Sequence, residues 1–110
     1  MNPTLYAYQG KDFEENAIFI EETGNPKNVS GHTSFLKIAK NYDSDAANKI
    51  TVNGTIVSPS SSGIFYYNAT KESLLPLGYG KFVYTRYLVD SLGEVVNVVS
   101  GDFVIIPSVL

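Results

Sequence analysis

The sequence is poor in the residue types that most often carry chemistry. Its 110 residues include no cysteine, no tryptophan, one histidine (His32) and one arginine (Arg86). The absence of cysteine excludes disulfides, thiolate metal sites and thiol nucleophiles, and a single histidine leaves no imidazole cluster for a transition metal. Charged residues make up 17% of the chain and the net charge is −3. This composition favours neither nucleic acid nor an anionic membrane as a partner.

Long hydrophobic runs are missing as well. No stretch of about 18 apolar residues is present, so the sequence predicts no membrane span. Residues 1–10 lack a basic region followed by an apolar run, so no signal peptide is predicted. We therefore expect one domain over residues 1–110, made in a cytoplasm.

What the chain has in abundance is β-branched and aromatic residues. It contains 11 Val, 8 Ile, 7 Thr, 8 Tyr and 6 Phe, a composition typical of strands. Strand-like segments separated by turn residues predict an all-β fold with one short helical turn near residues 70–75, which Thr70 can cap. We expect an immunoglobulin-like β-sandwich of about seven strands, with a small barrel as the alternative. Residues 1–10 and 107–110 are expected to be extended arms.

The turn signals also set the predicted boundaries of the strands. Asp90 to Gly93 reads as a hairpin turn, and Ser100-Gly101 predicts a bulge in one long final strand. On the strongest strand, alternation predicts that Arg86 shares a face with three apolar side chains. The predicted strands cover residues 4–8, 13–22, 33–42, 50–57, 64–69, 82–89 and 94–106.

Candidate catalytic groups do not converge in the sequence. His32 has no identifiable nucleophile or carboxylate partner. Asp43 and Asp45 resemble the start of a calcium loop, but Ala46 and Ala47 follow, with no Gly or Glu at the required spacing. The pairs Glu14–Glu15 and Glu21–Glu22 place adjacent carboxylates on opposite faces of a strand. We therefore expect no enzyme activity, no cofactor and no metal.

Tyrosine is the residue type best suited to binding in this chain. Five tyrosines lie between residues 66 and 87, where they either fill the core or build a contact surface. The absence of tryptophan makes a protein contact a better prediction than a glycan platform. The ends of the chain are also unusually apolar. The predicted partner-binding residues are Leu5, Tyr6, Tyr8, Tyr66, Tyr67, Val109 and Leu110.

An ordered series of short motifs resembles a known family. Residues 24–31, Gly-Asn-Pro-Lys-Asn-Val-Ser-Gly, form one turn motif, and Leu75-Pro76-Leu77-Gly78 precedes an aromatic strand. Asp90-Ser91-Leu92-Gly93 and a final strand that ends at Pro107 follow. Together these motifs resemble a small β-sandwich module of tailed-bacteriophage virion proteins. The resemblance spans roughly residues 11–107.

The resemblance implies a structural role in a virus particle. Such modules occur at the N-terminus of baseplate and receptor-binding-organ proteins and as short independent virion proteins. The first expectation is a capsid decoration, or cement, protein that binds the particle lattice through many weak contacts. The alternatives are a tail or baseplate adaptor and a carbohydrate-binding module for host glycans. The expected partners are other virion proteins, and a homo-oligomer is also considered.

Overall fold

The computed structural model describes residues 3–41 and 49–107. Within these ranges it contains seven strands, the number that the sequence predicts, together with one α-helical turn. Two short 3-10 turns lie at Ser60–Ser62 and Leu75–Leu77. The elements are β1 (Leu5–Tyr8), β2 (Phe13–Ile18), β3 (Thr33–Ala39), β4 (Lys49–Ile56), β5 (Ile64–Ala69), α1 (Lys71–Leu74), β6 (Gly80–Val89) and β7 (Val95–Ile106).

The strands form one mixed sheet in the order β1-β7-β6-β3-β4-β5-β2, nearly closed into a barrel. Among the strands of the described ranges, only the β1–β7 pair is parallel. The expected two-sheet, immunoglobulin-like sandwich is not what the structure shows, and the barrel alternative is closer. The reason is β4, which pairs with β3 through Asn53 and with β5 from Gly54 onward. One strand therefore carries the sheet around the core without a break.

Gly54 lies where β4 changes partners. A Cβ atom at this position would lie 2.8 Å from Tyr67 Cε1 and 3.2 Å from the Ser34 carbonyl oxygen. The missing side chain lets the backbone pass directly over the core. The sequence shows a regular alternation here, and it contains no sign of the change in pairing.

The N-terminal segment is part of the sheet. Residues 5–8, expected as a short strand within an extended arm, form β1 and pair with Phe103–Ile106. Leu5 and Ala7 are buried in the core, because alternate side chains of a strand point to opposite faces. At the other end, Pro107 follows β7, and residues 108–110 lie outside the described ranges.

Two local predictions are confirmed and one is misplaced. The Asp90–Gly93 turn forms, with a φ of 83° at Gly93 and with Asp90 Oδ1 accepting from two backbone N–H groups. Thr70 caps α1 by accepting a bond from the Ser73 N–H. The irregularity in the final hairpin is at Leu88–Val89. β7 runs unbroken through residues 100–101, where a bulge was predicted.

The core is one apolar cluster inside the curved sheet. Aromatic edges pack within it, with Phe13 and Phe103 ring centroids 5.1 Å apart. This contact joins β2 to β7 across the gap in the barrel. The largest fully buried side chains are Tyr67, Tyr84, Phe65, Phe103, Leu36, Ile38, Leu88, Ile105 and Val29.

Candidate interaction surface

The predicted contact residues fall into an interior group and a surface group. Leu5 and Tyr67 are 8% and 0% exposed and belong to the core. Tyr6 and Tyr8 are 58% and 53% exposed. Val109 and Leu110 lie outside the described residues. Alternation along each strand accounts for the division, because neighbouring residues point to opposite faces.

Tyr67 is held inside the barrel by a chain of hydrogen bonds. The Ser34 hydroxyl donates to the Tyr87 carbonyl oxygen at 2.7 Å, so it accepts from the Tyr67 hydroxyl. Burial is the main cause of a raised pKa for Tyr67, since the phenolate would lose its hydration. Tyr67 is therefore a core residue whose hydroxyl is satisfied within the chain.

An ion pair that the sequence analysis did not predict lies beside Tyr67. Arg86 on β6 points inward, and its guanidinium pairs with the Glu15 carboxylate on β2. The guanidinium carbon is 5.0 Å from the centroid of the Tyr67 ring and 5.8 Å from that of Tyr84. The carboxylate and the two aromatic rings together stabilise the one arginine of the chain inside the core. The sequence feature that could have indicated this ion pair is a lone arginine on an otherwise apolar face of a strand.

Tyr66 lies on the outside, between β5 and the edge strand β2. Its hydroxyl donates to Glu14 Oε1 at 2.7 Å, and Asn68 Nδ2 donates to the same hydroxyl at 3.1 Å. The bond to Glu14 raises the pKa of Tyr66, because the neutral phenol is the form that donates. Tyr66 is thus engaged with its own chain and is half-buried.

The other central tyrosines do not form a flat platform. Tyr84 is buried, and its hydroxyl donates to the Pro3 carbonyl oxygen at 2.7 Å, which anchors the N-terminal segment. Tyr87 faces outward and stacks on Phe35, with ring centroids 4.9 Å apart. Lys37 lies 5.7 and 5.9 Å from the two ring centroids. Because Tyr67 and Tyr84 point inward, the central tyrosines do not share one exposed face.

Two exposed tyrosines lie on the outer side of β1, beside β7. We call this surface the tyrosine face and define it as Tyr6, Tyr8, Val104 and Ile106. The strand register places Tyr6 beside Val104 and Tyr8 beside Ile106. Val104 and Ile106 are half-buried, and both tyrosines are more than half exposed. Rigid aromatic rings with polar tips on a regular strand are well suited to a protein contact.

A pocket of about 210 Å³ adjoins the tyrosine face at one end of the barrel. Tyr8 forms one side of it, and α1 with the following 3-10 turn forms the other. Leu75 on this rim is 70% exposed. The φ of 74° at Gly78 lets the chain reverse beneath Leu75 before β6 begins. The lining residues are Tyr8, Gln9, Gly10, Lys71, Glu72, Leu74, Leu75, Gly78 and Ile105.

The candidate chemical groups remain apart. Glu14 points outward and Glu15 inward, as the strand alternation predicts. His32 Nδ1 lies 2.9 Å from the Ser30 carbonyl oxygen, while Asp43 and Asp45 fall outside the described residues. Over residues 3–41 and 49–107, no group of three or more His, Asp or Glu side chains is placed to hold a metal ion. The same ranges contain no helix that is long and apolar enough to span a membrane.

Comparison with known proteins identifies a similar fold. No family model matches the chain, and no curated protein matches it. Among solved structures, the chain is similar to the N-terminal domain of phage TP901-1 ORF48, with a TM-score of 0.61. The match has 14% sequence identity and covers 94% of this chain and 85% of that chain. At this identity, the likeness establishes a shared fold over almost the entire chain.

Proposed function

We propose that this protein is a non-enzymatic structural module of a bacteriophage virion, part of the tail or baseplate. The observation that carries the proposal is the shared fold with an N-terminal domain of a phage protein. The motif series of residues 24–107 supports it independently, because it resembles a module of tailed-phage virion proteins. The two observations come from different kinds of evidence, one from the course of the backbone and one from local sequence.

A tail or baseplate position is favoured over capsid decoration. The matched domain lies at the N-terminus of its protein, and the resembled modules occupy that position in baseplate and receptor-binding-organ proteins. Capsid decoration, the first expectation from the sequence, has no such support. The module would serve as an attachment domain whose partners are other virion proteins.

The tyrosine face is the proposed contact with those partners. It offers two exposed tyrosines over half-buried aliphatic side chains, and a pocket opens next to Tyr8. The nearest ion pair, Lys81 with Asp102, is exposed, with its nitrogen and oxygen 3.6 Å apart. Apolar area with aromatic anchors and charge at its rim is the usual composition of a protein interface. Repetition of such a contact by the symmetry of the particle would strengthen modest affinities.

The presence of the chain in particles tests the proposal. Particles of the phage that encodes it are purified on a density gradient and analysed by quantitative mass spectrometry. The proposal predicts that the chain sediments with the particles at a fixed ratio to the known tail proteins. A chain that is abundant in infected cells and absent from particles would contradict the proposal.

A further inference from the structure

A hollow lies on the outer face of the sheet, where β4, β3 and β6 run side by side. The strand register places Lys49, Ala39 and Val83 in one row across these strands. The next row contains Lys37 beside Thr85. The methyl group of Ala39 is short, and the residue is only 8% exposed. The longer side chains around Ala39 therefore enclose a space above it.

We call this hollow the lysine pocket, and its volume is about 110 Å³. That volume equals the share of roughly four waters in the liquid, at about 30 Å³ each, so the pocket accommodates one small group. Besides two lysines, its lining contributes a carboxamide and two hydroxyl groups, which can donate hydrogen bonds. The lining residues are Lys37, Ala39, Asn41, Lys49, Val83, Thr85 and Tyr87.

The positive charge of the lysine pocket is not balanced within the described part of the chain. Lys37 and Lys49 are diagonal neighbours on adjacent strands, a placement that puts their Cβ atoms roughly 7–8 Å apart. Over residues 3–41 and 49–107, no carboxylate forms an ion pair with either lysine. Asp102 lies beside Val83 in the register, but it pairs with Lys81 instead. Two ammonium groups without a counter-charge favour an anion as the ligand of this pocket.

Aromatic rings position one of the two ammonium groups. Lys37 Nζ lies 5.7 Å from the centroid of the Phe35 ring and 5.9 Å from that of the Tyr87 ring. The attraction between an ammonium group and aromatic rings restricts the lysine side chain. Since Tyr87 also lines the pocket, this ammonium group is held at the pocket wall before a ligand arrives. Such preorganisation lowers the entropy cost of binding.

We propose that the lysine pocket binds one oxyanion of the phosphate type, as the free ion or as a monoester. A phosphate group carries a charge of about −1.5 to −2 at neutral pH, which matches two ammonium groups. Its oxygens accept hydrogen bonds from ammonium groups and from the hydroxyl groups of Thr85 and Tyr87. A carboxylate has only one negative charge and should bind more weakly. The proposal does not depend on the virion function, because it rests on the shape and charge of this surface.

A titration with inorganic phosphate, followed in two-dimensional amide NMR spectra, tests the binding directly. The amide signals of Ala39 and Thr85 are expected to shift and to reach saturation. Sodium chloride at the same ionic strength controls for screening and should not saturate these signals. Saturation with glycerol phosphate as well would extend the site to monoesters, whereas saturation with inorganic phosphate alone would assign it to the free ion. No saturation with either ligand, or equally tight binding of acetate, would overturn the proposal.

Lysine variants test whether the pocket itself is responsible. The double variant Lys37→Gln and Lys49→Gln should weaken phosphate binding at least ten-fold. Both side chains are exposed, so the midpoint of thermal unfolding should change little. The double variant Lys37→Arg and Lys49→Arg keeps both charges and should retain most of the affinity. Lys11→Gln, at an exposed lysine between β1 and β2, is the control for the loss of a positive charge, and it should bind phosphate like the parent chain. A loss in Lys11→Gln as large as that in the double glutamine variant would show that overall charge sets the affinity, and would overturn the proposal.

Discussion

Arg86 on β6 pairs with Glu15 on β2 across the interior of a sheet that does not fully close. β2 is an edge strand that pairs only with β5. The ion pair gives β2 a second attachment, on the far side of the core. Together with the packing of Phe13 against Phe103, it holds the two edges of the sheet near each other without strand pairing.

Removal of Glu15 should therefore destabilise the fold strongly. Glu15→Ala leaves a guanidinium that is only 8% exposed without its counter-charge, and a buried pair broken in this way typically loses about 3–5 kcal/mol. Urea unfolding measures the loss in the free energy of unfolding. Glu14→Ala, at the exposed neighbouring residue, is the control and should cost less than about 1 kcal/mol. Equal effects of the two variants would contradict the role given to the ion pair.

The change of pairing partner in β4 depends on Gly54. An alanine Cβ there would press against the Tyr67 ring at 2.8 Å and the Phe65 ring at 3.2 Å. Over-packing of this kind costs about 1–3 kcal/mol. Thermal unfolding of Gly54→Ala should show the loss, whereas Asn53→Ala, at an exposed neighbour, should remain within about 0.5 kcal/mol of the parent chain. An unchanged midpoint for Gly54→Ala would show that the strand can bend elsewhere.

Stability should fall at high pH in a way that depends on Tyr67. Burial raises the pKa of Tyr67 above its ordinary value of 10.0, so the folded chain keeps this proton after the unfolded chain has released it. The contribution is complete below pH 10 and is lost as the pH rises towards the folded-state pKa, by up to about 1.4 kcal/mol per pH unit. Urea unfolding between pH 8 and 11 measures this slope. Tyr67→Phe should be less stable at pH 8, because it lacks the bond to Ser34, and should show a shallower decline above pH 10.

The strands were predictable from the sequence because their signals are local. Alternation and turn residues predict seven strands, the cap at Thr70 and the turn that ends at Gly93. They also give the inward face of β6, which includes Arg86. Each of these features depends on residues that are close together in the sequence.

Pairing across the fold was not predictable in the same way. β1 joins β7 and β4 is shared between β3 and β5 because of contacts between residues far apart in sequence. The contact of Glu15 with Arg86 spans 71 residues. For the same reason, some of the predicted contact residues are exposed and others are buried. Tyr6 and Tyr8 are exposed, whereas Leu5 and Tyr67 are buried, because the inner face of a strand is known only when its neighbours are.

Attachment to the particle should depend on the tyrosine face. Deletion of residues 1–8 would be a poor test, because it removes β1 and the buried Leu5 along with the exposed rings. The double variant Tyr6→Ser and Tyr8→Ser changes only outward side chains. It should lower the occupancy of particles at least ten-fold while the midpoint of thermal unfolding changes little. Ile18→Ser, which is 50% exposed on β2, is the control, and an equal loss for this variant would contradict a specific role of the tyrosine face.

The most direct test of the proposed function is the distribution of the chain between separated heads and tails. Quantitative mass spectrometry of the two fractions gives its location and its copy number per particle. A tail or baseplate module should be found in the tail fraction, in a small number of copies that matches tail symmetry. Hundreds of copies on heads would indicate capsid decoration and contradict the tail assignment. Absence from both fractions would contradict a virion role altogether.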